Sequence, residues 1–200
     1  MNTKKIIGAV AVVFIAIIVS STSFAETYRI ELNASQSNIE ATFEDRVALA
    51  HGFLTAGIGG MYDEDDYRIA HAKITLGDGV LLSGLSLNLG FKGILGNIEK
   101  DHKDSDVMAV GFLISGSYPI PEIVSPLPID VSLAFSIAPD PLCFLDSNMY
   151  MDVRASLDFR VVKNAAIILG YRYVEVRFDD DHRDWEKSDG TFFIGCRLEF

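Results

Sequence analysis

Two acidic runs are the first places in this sequence where side-chain types and spacing could do chemistry. Asp63-Glu64-Asp65-Asp66 and Asp179-Asp180-Asp181-His182, with Asp184 just beyond, gather carboxylates and one imidazole. Held across a shared opening, such groups could activate water by general-base catalysis, and carboxylate oxygens suit hard divalent cations. The second run lacks the 1-3-5 spacing and the glycine of a calcium loop, so no dedicated metal site is expected. His51, His71 and His102 are scattered and form no ligand set. No phosphate-binding glycine loop, nucleophile elbow or Cys-x-x-Cys pair occurs. The chain reads as a non-enzyme with no cofactor, and a hydrolase built on the Asp and His groups is the alternative.

A second set of charges is spaced differently. From Met151 to Val161 the side chains alternate: Met151, Val153, Ala155, Leu157, Phe159 and Val161 on one face, Asp152, Arg154, Ser156, Asp158 and Arg160 on the other. Successive strand residues point to opposite sides, so this is a strand with one apolar and one ionic face. On a helix the same charges would be scattered round the circumference. The same alternation puts Arg29, Glu31, Glu40, Lys73, Lys92, Asp130, Arg172, Arg197 and Glu199 on ionic faces. Both signs occur in similar number. If these faces line a lumen, the charges form either a salt-bridged plug or a narrow aqueous path.

Strands of this kind must be positioned by a larger plan. Residues 1–25 carry a basic start (Lys4, Lys5), an apolar run from Ile6 to Val19 and the small-x-small step Ser23-Phe24-Ala25, the layout of a secretory signal peptide. Residues 26–200 then form one domain. No other apolar run is long enough for a spanning helix. Yet 49% of residues are hydrophobic and the mean hydropathy is +0.24, despite a net charge of −11. Apolarity spread by alternation is how a transmembrane barrel carries its membrane character. The acidic balance excludes nucleic acid as a partner, since phosphate contacts need Lys/Arg clusters.

Reading back from the C-terminus, the strands are expected at 191–200, 165–178, 148–162, 129–138, 107–118, 80–96, 67–76, 47–62, 38–43 and 28–33. Tight turns are expected at Gly77-Asp78-Gly79 and Lys163-Asn164. This is an all-β, antiparallel up-and-down transmembrane β-barrel of about ten strands, with eight as the alternative. Parity puts the acidic loops outside the cell and the connection bearing Pro119, Pro121, Pro126 and Pro128 in the periplasm. Phe192, Ile194, Cys196, Leu198 and Phe200 should face lipid, as should Leu85, Leu87, Leu89, Phe91, Val131, Leu133, Phe135 and Ile137. Tyr28, Tyr67, Tyr118, Tyr150 and Tyr173 are placed as an aromatic girdle. Cys143 falls in an outer loop and Cys196 on the lipid face, too far apart to bridge. A soluble periplasmic β-sandwich or lipid-binding protein, with the apolar face as a core, is the remaining alternative.

The final residues carry an address. Gly195, Leu198 and the terminal Phe200 stand at the spacing of the β-signal read by the barrel-assembly machinery, although Phe193 occupies a position usually polar. With Gly170-Tyr171-Arg172-Tyr173, the stretch from Val174 to Phe178, an acidic loop and the terminal Phe, the last 50 or so residues resemble the YfaZ family of outer-membrane proteins. The resemblance implies an outer-membrane barrel and brings no catalytic residues. The expected role is structural or narrow-channel, with outer-membrane lipid and lipopolysaccharide as surroundings.

Overall fold

The computed structural model describes residues 26–63, 67–82, 84–100, 103–121, 127–178 and 185–200. The period-two pattern becomes eleven strands: β1 (Glu26–Ala34), β2 (Asn38–Leu49), β3 (Gly52–Asp63), β4 (Tyr67–Leu82), β5 (Leu85–Lys100), β6 (Lys103–Pro119), β7 (Ile129–Ala138), β8 (Cys143–Leu145), β9 (Ser147–Val162), β10 (Ala165–Phe178) and β11 (Trp185–Glu199). Ten of them form a closed antiparallel ring, each bonded to its sequence neighbours. β8 is a three-residue spur on β6, with Val107 opposite Leu145 and Ala109 opposite Cys143. A single 3-10 turn (Asp140–Leu142) precedes it. The barrel and its ten strands are therefore as the alternation predicts, and neither the eight-strand count nor the sandwich holds.

Closure happens between β1 and β11. Arg29 lies opposite Glu199 and Ala34 opposite Ile194. Past the end of that ladder the Tyr28 and Phe200 backbones exchange two hydrogen bonds, 2.8 and 3.0 Å. A ring leaves no free edge, which is the only way a sheet can sit in hydrocarbon without unsatisfied N–H and C=O groups.

β1 starts and β11 finishes at one end of the barrel, here called proximal. The connections after β2, β4, β6 and β9 are also proximal; those after β1, β3, β5, β7 and β10 are distal. The proline-bearing connection is proximal, as parity requires. It is held by Ile120 N–H donating to the Ile129 carbonyl and by Arg160 N–H donating to the Pro128 carbonyl.

Several boundaries differ from the sequence reading. Gly77 is not a turn residue: β4 runs on to Leu82, and Gly84, with φ +91, makes the turn. Gly77 is small for another reason, since the Asn88 side chain occupies the place a Cβ would take. The expected strand over 47–62 is broken by a turn at residues 50–51, where Gly52 adopts φ +106. β11 begins at Trp185, β5 reaches Lys100 and β6 starts at Lys103, so the strands extend into two expected loops.

The outer wall is apolar. Phe192, Ile194, Leu198, Phe200, Leu89, Phe91, Val131 and Leu133 are all exposed there. Aromatic pairs tie neighbouring strands: Tyr171 with Phe192 at 5.0 Å and Phe91 with Phe112 at 5.4 Å between ring centroids. Tyr67 and Tyr150 are not girdle residues. The parity that turns Asp152 inward does the same to Tyr150, and both tyrosines are buried inside.

Candidate functional site in the barrel lumen

The inward residues divide the lumen into two zones. Toward the distal end Met61, Tyr67, Ile69, Ile94, Ile98, Val107, Ala109, Ala138, Tyr150, Val174, Val176 and Phe178 pack into one cluster. Val107, Ala138 and Tyr150 have 0% of their surface accessible, and Ile98, Val176 and Phe178 have 1%. Phe178 stacks on Trp185 with centroids 4.1 Å apart, near the distal rim. Interiors packed this way leave no channel for water. The sequence pattern holds the signal for this plug, because Val174, Val176 and Phe178 are apolar at inward positions where alternation calls for polar ones.

Below the plug the lumen is ionic. Eight side chains from six strands form an unbroken chain of alternating sign: Lys92, Asp152, Arg172, Glu40, Arg154, Glu31, Arg197, Asp158. Lys92 Nζ lies 2.6 Å from Asp152. Arg172 grips both oxygens of the same carboxylate at 3.0 and 2.8 Å, and donates to Glu40 at 2.9 Å. Arg154 meets Glu40 at 3.5 Å and pairs with Glu31. Arg197 donates to Glu31 at 2.8 Å and to Asp158 at 2.7 Å. Four cations balance four carboxylates. Asn33 donates to both Glu31 and Glu40, and Ser156 and Ser132 donate to Asp158. Such satisfaction matters, since a buried charge with a missing partner is strongly destabilising.

Nearer the proximal mouth Glu199, Arg29, Glu44 and Lys73 make a second balanced set, and Arg160 pairs with Asp130 at 2.6 Å. A cavity of about 500 Å³ at this end is bounded by Lys73, Lys92, Asp130, Asp152, Arg154, Asp158, Arg160, Arg172, Arg197 and Glu199, among others. Every charge assigned to the lumen from the sequence therefore lies on this one cavity. Glu44 and His71 also line it. Glu44 was hidden by ending the second strand at Phe43; extending the period-two face from Glu40 finds it.

Close approach between strands explains three glycines. Gly170 sits opposite Phe193, whose inward ring fills the space of a Gly170 side chain. The same ring carries the Arg154 guanidinium at 4.6 Å, which is why an aromatic suits a position usually polar. Gly195 makes room for Asn33, and Gly59 for His71. Leu198 and Phe200 point outward.

The acidic loop residues 64–66 and 179–184, with the hydrolase they could form, lie outside the described residues, as does the leader at residues 1–25. Asp63 is buried. Among the described residues no three His, Cys, Asp or Glu side chains gather as a metal set. Cys143 and Cys196 are free thiols, and Cys143 Sγ donates to the Ala138 carbonyl at 3.3 Å.

Fold and site together define a small closed β-barrel with an apolar outer wall and a plugged, charge-paired lumen. The model of the YfaZ precursor family matches residues 3–200, and the chain belongs to that family. No curated protein matches it significantly. Solved structures of similar outline include Neisserial surface protein A (10% identity, 88% of this chain and 94% of that one, TM-score 0.37). Others are the NanC porin (10%, 87% and 99%, TM-score 0.40) and a de novo designed transmembrane β-barrel (10%, 90% and 98%, TM-score 0.32). Likeness at this level carries no information on function.

Proposed function

We propose that the protein is a structural barrel of the bacterial outer membrane that does not conduct and is not an enzyme. Its leader, residues 1–25, is removed on export. The proximal end faces the periplasm and the distal end faces outward, surrounded by lipopolysaccharide. The barrel-assembly machinery reads Gly195, Leu198 and Phe200. Support for the membrane comes from the exposed apolar wall on a ring without edges. Support for a non-conducting role rests on one observation, the plug around Tyr150 above a fully paired ion chain. Water entering from the proximal mouth stops at Lys92, Asp152 and Arg172.

Osmotic swelling tests this reading. Proteoliposomes in isotonic arabinose or glycine should swell no faster than protein-free liposomes. A swelling rate that rises with the protein-to-lipid ratio would replace the structural role with a narrow channel.

A further inference from the structure

The glycines of this barrel fall into two groups. At Gly59, Gly90, Gly96, Gly170 and Gly195, all facing inward, an added Cβ would collide with backbone or side chains of the next strand. Those positions are small because the barrel requires it. Gly60 and Gly93 face outward, and a Cβ there would meet nothing nearer than a carbonyl oxygen, at 3.6 and 3.9 Å respectively. Neither has a positive φ. Packing inside the barrel does not require glycine at these two sites, and glycine weakens a strand. Many other outward positions carry bulky residues, among them Leu89, Phe91, Phe112 and Ile114.

Gly60 pairs with Ala70, and Ala70 with Leu95; in the row beneath, Ala72 pairs with Gly93. Gly60 and Ala70 line a groove of about 540 Å³ on the distal part of the wall, with Tyr62, Leu95 and Leu145 along its sides. Leu145 is brought there by the spur β8, at φ 65. The next row toward the distal rim reads Tyr62, Arg68, Asn97, Asp106. Arg68 is exposed and lies 5.6 Å from the Tyr62 ring centroid, and among the described residues no carboxylate lies within ion-pair distance of it. Asn97 donates to Asp106 at 3.3 Å.

We propose that this groove seats one phosphorylated, acylated glucosamine lipid of lipopolysaccharide, an acyl chain on Gly60 and Ala70 and a phosphate on Arg68. The inference rests on the outer-membrane reading, which makes the distal rim the level of outer-leaflet headgroups. The rim favours a sugar phosphate over a simple anionic phospholipid. Arg68 supplies a bidentate anion donor, while Asn97 and Asp106 offer a donor and an acceptor to sugar hydroxyl and amide groups. A headgroup with fewer hydroxyl and amide groups would make fewer hydrogen bonds to Asn97 and Asp106.

Native mass spectrometry of the refolded mature chain tests the site, with hexa-acylated, bis-phosphorylated lipid A and phosphatidylglycerol as competing probes. One lipid A per barrel should survive conditions that strip phosphatidylglycerol. Arg68→Gln and Ala70→Leu, the latter filling the groove floor, should each lower lipid A occupancy by about tenfold, the loss of one charge-assisted contact or its packing. Heat-shifted gel migration confirms that each variant is folded. Equal retention of phosphatidylglycerol, occupancy unchanged in both variants, or a dimer in place of bound lipid overturns the inference. Fractionation of the parent protein separates the two readings. Recovery in the outer membrane without lipid A binding removes only the groove assignment, and recovery elsewhere removes the outer-membrane role.

Discussion

Arg172 ties two carboxylates of the lumen together, closing onto Asp152 through two donors and onto Glu40 through a third. Replacing it with Met keeps the volume roughly constant and leaves two carboxylates buried without their main partner. Arg172→Met should therefore destabilise the barrel by about 3–5 kcal/mol, read as a lower urea midpoint of the heat-shifted gel band. A midpoint unchanged from the parent would mean the ion chain contributes little to stability. At this scale the sequence was informative wherever a charge sat inside an unbroken alternation, as Asp152, Arg154, Asp158 and Arg160 do. It was uninformative for His71, whose neighbours in the lumen come from other strands. It also misplaced Tyr67 and Tyr150, where residue type outweighed parity.

Between residues and the whole lie the strands and their ends. β11 closes the ring, and its last residue extends the seam: Phe200 exchanges backbone hydrogen bonds with Tyr28 and packs against its ring at 6.0 Å. Phe200→Ala keeps the backbone bonds and removes the outward ring. Assembly in cells should fall several-fold, measured as the heat-shifted fraction in the outer membrane, while a chain refolded in detergent loses little. Equal losses in both settings would assign Phe200 to stability instead of to assembly. Strand identity was legible from period two, but turn positions were less so. Gly77-Asp78-Gly79 has turn composition, yet Gly77 is glycine because Asn88 fills its side-chain space. Nothing local distinguishes that reason from a turn. The step at residues 50–51 carries weak turn chemistry, and only the positive φ of Gly52 marks it.

For the molecule as a whole the decisive feature is the order of zones along the axis: an open polar mouth, a neutral chain of eight charges, then a dry apolar plug. The sequence announced the charges and favoured a salt-bridged plug, with a narrow aqueous path as the alternative. What separates them is where apolar side chains replace polar ones on the inward face, at the distal ends of β3, β4, β5 and β10 and the distal start of β6. That substitution is visible only once each strand's register and direction are known. Planar bilayer recording of the purified mature protein is the most direct test of the proposed seal. The trace should remain at the bare-membrane baseline across physiological voltages in molar potassium chloride. Reproducible unitary current steps from the unmodified protein would contradict it.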